Sequence, residues 1–381
     1  MQQEASVKYV RMPIEVESPE EFGYDRIKFN LSESSVRDRA LADLGADPVG
    51  SSLRDLVLFY GTHEGHPGLR EIVATAAGGG LSAADVLVTA GAAGALFIIA
   101  TTLLEKGDHL VVVRPNYATN IETPRAIEAD VSFLDLSFEE GFAVDIDRLA
   151  ALITPRTKYV SVTQPHNPTG QLMSEADLRR LVAVVESADC RLLVDETYRE
   201  MSFGGPLPCA AALSPRAISV SSLSKTYGIP GIRTGWLMTR DRELMTTFLA
   251  AKEQIGICGS VVDEEIAFQA LRGREAWLTD VGGHIREALA TMRAWMAGEE
   301  LMEWVEPRGG VVCFPRIRLE TPVDVDEFYR RLSDEHATYV GPGHWFEQPR
   351  RHMRIGFGWP TAAELEGGLR AISASLREAL R

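Results

Sequence analysis

The chain has 381 residues, 45% hydrophobic and 24% charged, with a formal net charge of −15. That length exceeds one small domain and supports a sizeable core, while the acidic balance excludes nucleic-acid binding by the overall field and leaves room only for a local basic site that holds one anionic ligand. Cys190, Cys209, Cys258 and Cys313 form no C-x-x-C pair, no apolar run is long enough for a membrane span, and the first residues carry no apolar signal-peptide core, so free thiols, no metal and a cytoplasmic location are expected.

In chain order, residues 1–44 are polar and read as an arm with a short helix. Glu71–Ala77 has a helical pattern stopped by Gly78–Gly80. Asp85–Thr89 (DVLVT) reads as a buried strand and Gly94–Glu105 as a helix closed by Lys106-Gly107. His109–Arg114 (HLVVVR) and Val131–Leu136 are further strands, followed by a helix near Asp145–Ile153. Lys158–Thr163, Arg191–Val194 and Ala217–Val220 continue the series, with helices at about Ser174–Ser187 and after Asp241. Val261 to about Gly298 is helical in period. Short β-branched runs alternating with helices predict crossovers and an α/β fold, a mostly parallel sheet covered on both faces. Val311–Ile317, Val323–Glu335, Tyr339–Val340, Met353–Phe357 and Ala362–Leu380 read as a smaller α+β domain. The expected division is a large domain over 45–265 and a small domain built from 1–44 and 266–381.

In an open parallel sheet, ligands sit beyond the carboxyl ends of the strands. That rule gathers Gly91, Pro115–Tyr117, Pro165–Asn167, Asp195 and Ser221–Lys225 around one crevice. Lys225 follows Ser221-Ser222-Leu223-Ser224 just past a strand, where desolvation would lower its pKa and free the amine as a nucleophile. Arg233, between glycines, could clamp a phosphate, and Thr89–Ala95 forms a strand-to-helix turn that exposes backbone amides at a positive helix end. Asp195 ends a strand, where its carboxylate could hold a protonated pyridine nitrogen. Tyr198 and Asn167 could reach a phenolic oxygen on such a ring, and Tyr117 offers a flat face for stacking. Each residue alone also has a bland explanation, as a salt bridge, a turn or a core side chain. Their joint order makes the case.

Together, His166–Gly170, Asp195–Tyr198 and Ser222–Lys225 with Arg233 resemble the fold-type I enzymes dependent on pyridoxal 5'-phosphate (PLP), specifically the class I/II aminotransferase family, over about Tyr60 to Arg354. The resemblance implies that Lys225 is the Schiff-base lysine and Asp195 the pyridinium partner. It gives Asn167 and Tyr198 to the phenolic oxygen and Tyr117 to stacking. It gives Ser222, Arg233 and the amides of Ala92 and Ala93 to the phosphate, and Arg354 to the substrate carboxylate. It also implies a homodimer in which Tyr60 touches the phosphate bound by the other subunit. Where many relatives carry a hydroxyl or acidic side chain, this chain has Ala93 and Gly94.

The expected activity is PLP-dependent transformation of a free L-amino acid, with an aminotransferase as the leading reading. Ser224–Trp236, Pro307–Phe314, Val340–Phe346 and Met353–Phe357 also resemble capreomycidine synthase-like enzymes. A cyclase of hydroxyarginine, or another elimination or oxidation in antibiotic biosynthesis, is therefore the alternative. Glu64, Phe357 and Trp359 are candidates for the side-chain pocket. A regulator that has lost the chemistry is disfavoured by Lys225. A dehydrogenase is disfavoured because no G-x-G-x-x-G follows the first strand.

Overall fold

Seven strands form the central sheet of the computed structural model, which describes residues 9–44 and 52–381. They are β1 (Val86–Ala90), β2 (His109–Arg114), β3 (Asp130–Asp135), β4 (Thr157–Thr163), β5 (Arg191–Asp195), β6 (Ala217–Ser222) and β7 (Thr234–Met238). The spatial order is β1-β7-β6-β5-β4-β2-β3. All neighbouring pairs are parallel except those of β7, which runs antiparallel to β1 and β6.

Alternate residues of a strand face opposite sides of its sheet. Val111, Val113, Val160, Val162, Leu192 and Val194 pack on one face against Leu178, Leu181 and Val185 of the helix Glu175–Ser187. Leu110, Val112, Tyr159, Leu193 and Val220 pack on the other against Ala95, Leu96 and Ile99 of the helix Gly91–Leu103. Burial on both faces explains why these strands read as continuous apolar runs.

Three elements differ from the sequence expectation. Strand β7 was not expected, because Gly235 weakens a five-residue strand reading. The structure gives that glycine another purpose: a Cβ there would lie 2.5 Å from the Gly91 carbonyl carbon and 2.6 Å from the Ala92 nitrogen. The helix Thr119–Ala126 contains Pro124, which masks its pattern. The stretch from Val261 is two helices, Val261–Arg272 and Arg274–Gly298, parted at Gly273.

The C-terminal part builds a three-stranded antiparallel sheet from Val312–Cys313, Met353–Gly356 and Gly341–Pro342, with Met353–Gly356 in the middle. Leu31 and Val36 of the N-terminal arm join its core beside Phe328, Ile355, Leu369 and Ile372. Ile266, Ala267, Ala270 and Leu271 instead pack with Leu69 and Val73 near the central sheet, whereas Val281, Ile285 and Met292 pack in the C-terminal core. We therefore propose that the division expected at 265/266 falls along the helix Arg274–Gly298. The boundary expected at 44/45 abuts residues 45–51, which lie outside the described residues. All four cysteines are free. Among the described residues no helix is long and apolar enough to cross a membrane, and no His, Cys, Asp and Glu cluster could hold a metal.

Candidate active site

The carboxyl ends of β1, β4, β5 and β6 meet at one edge of the sheet, and antiparallel β7 begins there. Ala90 pairs with Thr234, and Ser222 with Gly235, so Gly91, Ser222 and Arg233 come side by side. Thr163 pairs with Asp195, placing β4 and β5 next to them. Between this edge and the C-terminal part lies a cleft of about 530 Å³. Ala92, Ala93, Tyr117, Asn167, Asp195, Tyr198, Ser222, Lys225, Arg233 and Arg354 all line it.

One end suits a phosphate. The helix Gly91–Leu103 starts there, so the amides of Ala92 and Ala93 in its first turn lack intrahelical acceptors and sit at the positive end of the dipole. Gly91 has φ +71°, and a Cβ on it would lie 2.7 Å from Nη2 of Arg233. Glycine thus lets the guanidinium lie against the helix start. Arg233 itself is left-handed at φ +46°, a conformation that costs a non-glycine residue energy. Its Nη1 donates to the Pro230 carbonyl at 2.9 Å, and among the described residues no carboxylate pairs with it. Free amides, the Ser222 hydroxyl and an unpaired guanidinium fit the phosphate of PLP.

The middle suits the ring. Asp195 is 6% exposed, and its Oδ1 accepts from the Thr197 amide at 3.1 Å and the Thr197 hydroxyl at 2.6 Å. Its Oδ2 receives no donor among the described residues, which leaves that oxygen for a ring N–H. Burial pushes this carboxyl upward, while Thr197 and Lys225 oppose the shift. Burial likewise pushes the Lys225 amine down; Glu33 opposes this, and Arg354 and Arg233 add to it. Burial raises the Tyr198 hydroxyl to about 12, so it is a donor at neutral pH. Asn116, placed at the crevice by the sequence but given no role there, orients Tyr117: its Oδ1 accepts from the Tyr117 amide at 2.7 Å and from the Thr163 hydroxyl at 3.0 Å. His166 holds the turn beside Asn167. Its Nε2 donates to the Pro115 carbonyl at 2.8 Å, and burial lowers its pKa to about 4, so it is neutral.

The far end suits an α-carboxylate. Arg354, 5% exposed on the strand Met353–Gly356, donates from Nη2 to the Ser32 carbonyl at 2.7 Å and from Nη1 to Asn167 Oδ1 at 3.1 Å. Its Nε is buried without a partner among the described residues.

The cofactor-free protein offers a test of Lys225 burial. The folded-state pKa of this amine is lowered, so the unfolded chain keeps the proton to higher pH than the folded one does. Stability therefore rises with pH between the folded value and the ordinary lysine value of about 10.4. The stability of wild type relative to Lys225→Met is expected to climb across that window in denaturant titrations. A flat difference contradicts the burial.

Some expectations need correction. Phe357 is wholly buried in the C-terminal core, Trp359 lies under the Arg37 guanidinium at 4.4 Å, and neither they nor Glu64 line the cleft. Glu15, Glu20, Glu33 and Trp345 line it instead. Tyr60 lies outside the cleft of its own chain and is 79% exposed.

Comparisons with known proteins give the chain's family and fold. The pattern of the family described as aminotransferase class I and II matches residues 31–372. Capreomycidine synthase from Streptomyces vinaceus is 32% identical over 93% of this chain and 91% of its own length. Arginine–pyruvate transaminase AruH from Pseudomonas aeruginosa is 30% identical over 81% of each. Among solved structures, a PLP-dependent aminotransferase from Streptococcus suis matches with TM-score 0.89 and 28% identity, covering 96% of this chain and 98% of that one. The PLP-dependent cyclase OrfR matches with TM-score 0.86 and 30% identity, covering 99% and 100%.

Proposed function

We propose, from the premise that this chain belongs to the class I and II aminotransferase family, that its reaction is transamination of a free L-amino acid. That the protein is a PLP-dependent enzyme acting on an amino acid follows from the family and its relatives. The convergence of Lys225, Asp195, the Arg233 anion cup and Arg354 on one cleft supports chemistry on a free amino acid, and the family description and the likeness to a transaminase favour transamination.

When bound, PLP supplies an aldehyde for the substrate amine and a ring that accepts electron density from Cα. The chain's own residues do the rest. Arg354 pairs with the substrate α-carboxylate, and Asn167 and the Ser32 carbonyl hold its planar fork in place. Lys225, an amine whose burial favours the neutral form, takes the proton from Cα and returns it at the reacting carbon. Asp195 would keep a ring nitrogen protonated. Tyr198 would donate toward the phenolic oxygen, and Tyr117 would offer its face to the ring.

Arg354→Ala should raise KM for the amino acid by about 10- to 100-fold, as loss of ~1.5–3 kcal/mol from charged hydrogen bonds implies. Steady-state kinetics reads this, and an unchanged KM would remove the carboxylate role.

We also assign the protein to homodimers and to the cytoplasm. Val57, Leu58, Phe59 and Tyr60 are each more than 60% exposed in sequence, a patch that suits cover by a second copy and would bring Tyr60 to the other subunit's phosphate end. Free thiols suit a reducing compartment.

A second reading has its own support. Likeness to capreomycidine synthase and to the cyclase OrfR spans more than nine-tenths of the chain. It favours ring closure of an arginine-like substrate in natural-product biosynthesis. One experiment separates the two: purified protein is incubated with each amino acid and with hydroxyarginine, with and without a 2-oxo acid, and ketoacid, ammonia, peroxide and cyclic product are followed together. Product that requires the 2-oxo acid supports transamination. A ring, ammonia or peroxide formed without it overturns that reading.

A further inference from the structure

The substrate end of the cleft is acidic beyond what the rest of the site consumes. Glu15, Glu20 and Glu33 line it together with Arg354. No lysine, arginine or histidine forms an ion pair with any of the three among the described residues. Glu33 Oε1 receives only long contacts, from Asn30 Nδ2 at 3.3 Å and the Tyr24 hydroxyl at 3.4 Å. Burial raises the Tyr24 hydroxyl, and the nearby Glu33 and Glu20 carboxylates add to the shift.

These acids are not on a solvated tail. Glu17, between Glu15 and Glu20, accepts from His344 Nε2 at 2.8 Å and from Trp345 Nε1 at 2.7 Å. The Tyr339 hydroxyl donates to the Glu17 carbonyl, and Phe22 stacks on the Tyr339 ring at 5.1 Å. The arm is therefore tied to the C-terminal part with its acids turned to the cleft.

A charge count of the filled site leaves them over. Arg233 matches the phosphate, Asp195 the ring nitrogen, and Arg354, buried with Nε unpartnered, the substrate carboxylate. Glu20 and Glu33 then line the cleft with no ion pair of their own among the described residues, although the field of Glu33 reaches Lys225 and Arg354. Unpaired carboxylates in a partly desolvated cleft favour a cationic partner and disfavour an apolar or acidic one.

We propose that Glu33 and Glu20, which line the substrate end of the cleft, are specificity-determining residues that select a free amino acid with a cationic side chain, a guanidinium or an ammonium. This rests on the reading of the cleft as an amino-acid site held by Arg354, and adds the side-chain class to it.

The test compares isosteres. Arginine and citrulline differ by the charge of the side-chain head, and norleucine lacks the ammonium that lysine carries. Binding to the cofactor-loaded enzyme is followed by tryptophan fluorescence, since Trp345 lines the cleft, and by kcat/KM where turnover occurs. The wild type should favour arginine over citrulline at least about tenfold. Glu33→Gln and Glu20→Gln together should bring that ratio below about threefold. Glu20 is exposed, so Glu20→Gln alone still tests the idea by a smaller fall in the ratio if Glu33→Gln does not fold. Citrulline, norleucine or glutamate bound as well as arginine and lysine overturns the proposal and leaves the amino-acid site standing. A preference that survives both substitutions overturns the residue assignment. If no amino acid binds at all, the underlying site reading falls as well.

Discussion

Lys225→Ala should give a folded protein that no longer takes on the absorbance of bound PLP and whose turnover is reduced at least about a thousandfold. The amine is asked both to capture the cofactor and to carry the Cα proton, and proton transfer by a placed side chain alone accounts for about 10²–10⁴ in rate. Its environment fits both tasks, because burial disfavours the charged ammonium. The side chain faces the cleft rather than a packed core, so its removal should leave the melting temperature of the cofactor-free protein unchanged or raised. Absorbance spectra, calorimetry and steady-state rates check the three parts. A coloured, active Lys225→Ala protein would remove Lys225 from the chemistry.

The second large effect is expected at Asp195. Asp195→Asn keeps an oxygen for the Thr197 amide but loses the negative charge that balances a protonated ring. Removing one partner of a buried charge pair costs about 3–5 kcal/mol, which at about 1.36 kcal/mol per tenfold is a fall of roughly 10²–10⁴ in kcat. Retention of the cofactor should weaken in parallel. Thr197→Val removes only the 2.6 Å hydroxyl donor and should cost about tenfold. Rates for the two variants that are equal would show that the charge of Asp195 does not matter.

The sheet was legible in the sequence because strands buried on both faces must be apolar and β-branched throughout, as in His109–Arg114. The cofactor end was legible for a related reason. Lys225, Asp195, Asn167 and Arg233 each lie next to a strand end, and parallel topology brings strand ends together. Strand β7 was hidden by Gly235, which is present for close approach to Gly91 and Ala92 rather than for strand propensity.

The substrate end was not legible. Glu15 and Glu20 reach it only because contacts such as that between Glu17 and Tyr339 span most of the chain, and no local pattern records them. The misplacement of Phe357 follows from strand alternation. Arg354 points to the cleft, so Ile355 and Phe357 face the other way, and both are fully buried in the core.

The most direct test is chemical trapping of the lysine–cofactor bond. The protein is incubated with PLP, reduced with borohydride, digested, and its peptides weighed. The chain has six lysines, and Lys252 is buried more fully than Lys225, with its amine bonded to the His63 carbonyl at 2.6 Å. The account predicts stoichiometric cofactor on the peptide bearing Lys225 and none on that bearing Lys252. Label on Lys252, label scattered over surface lysines, or no label would contradict it.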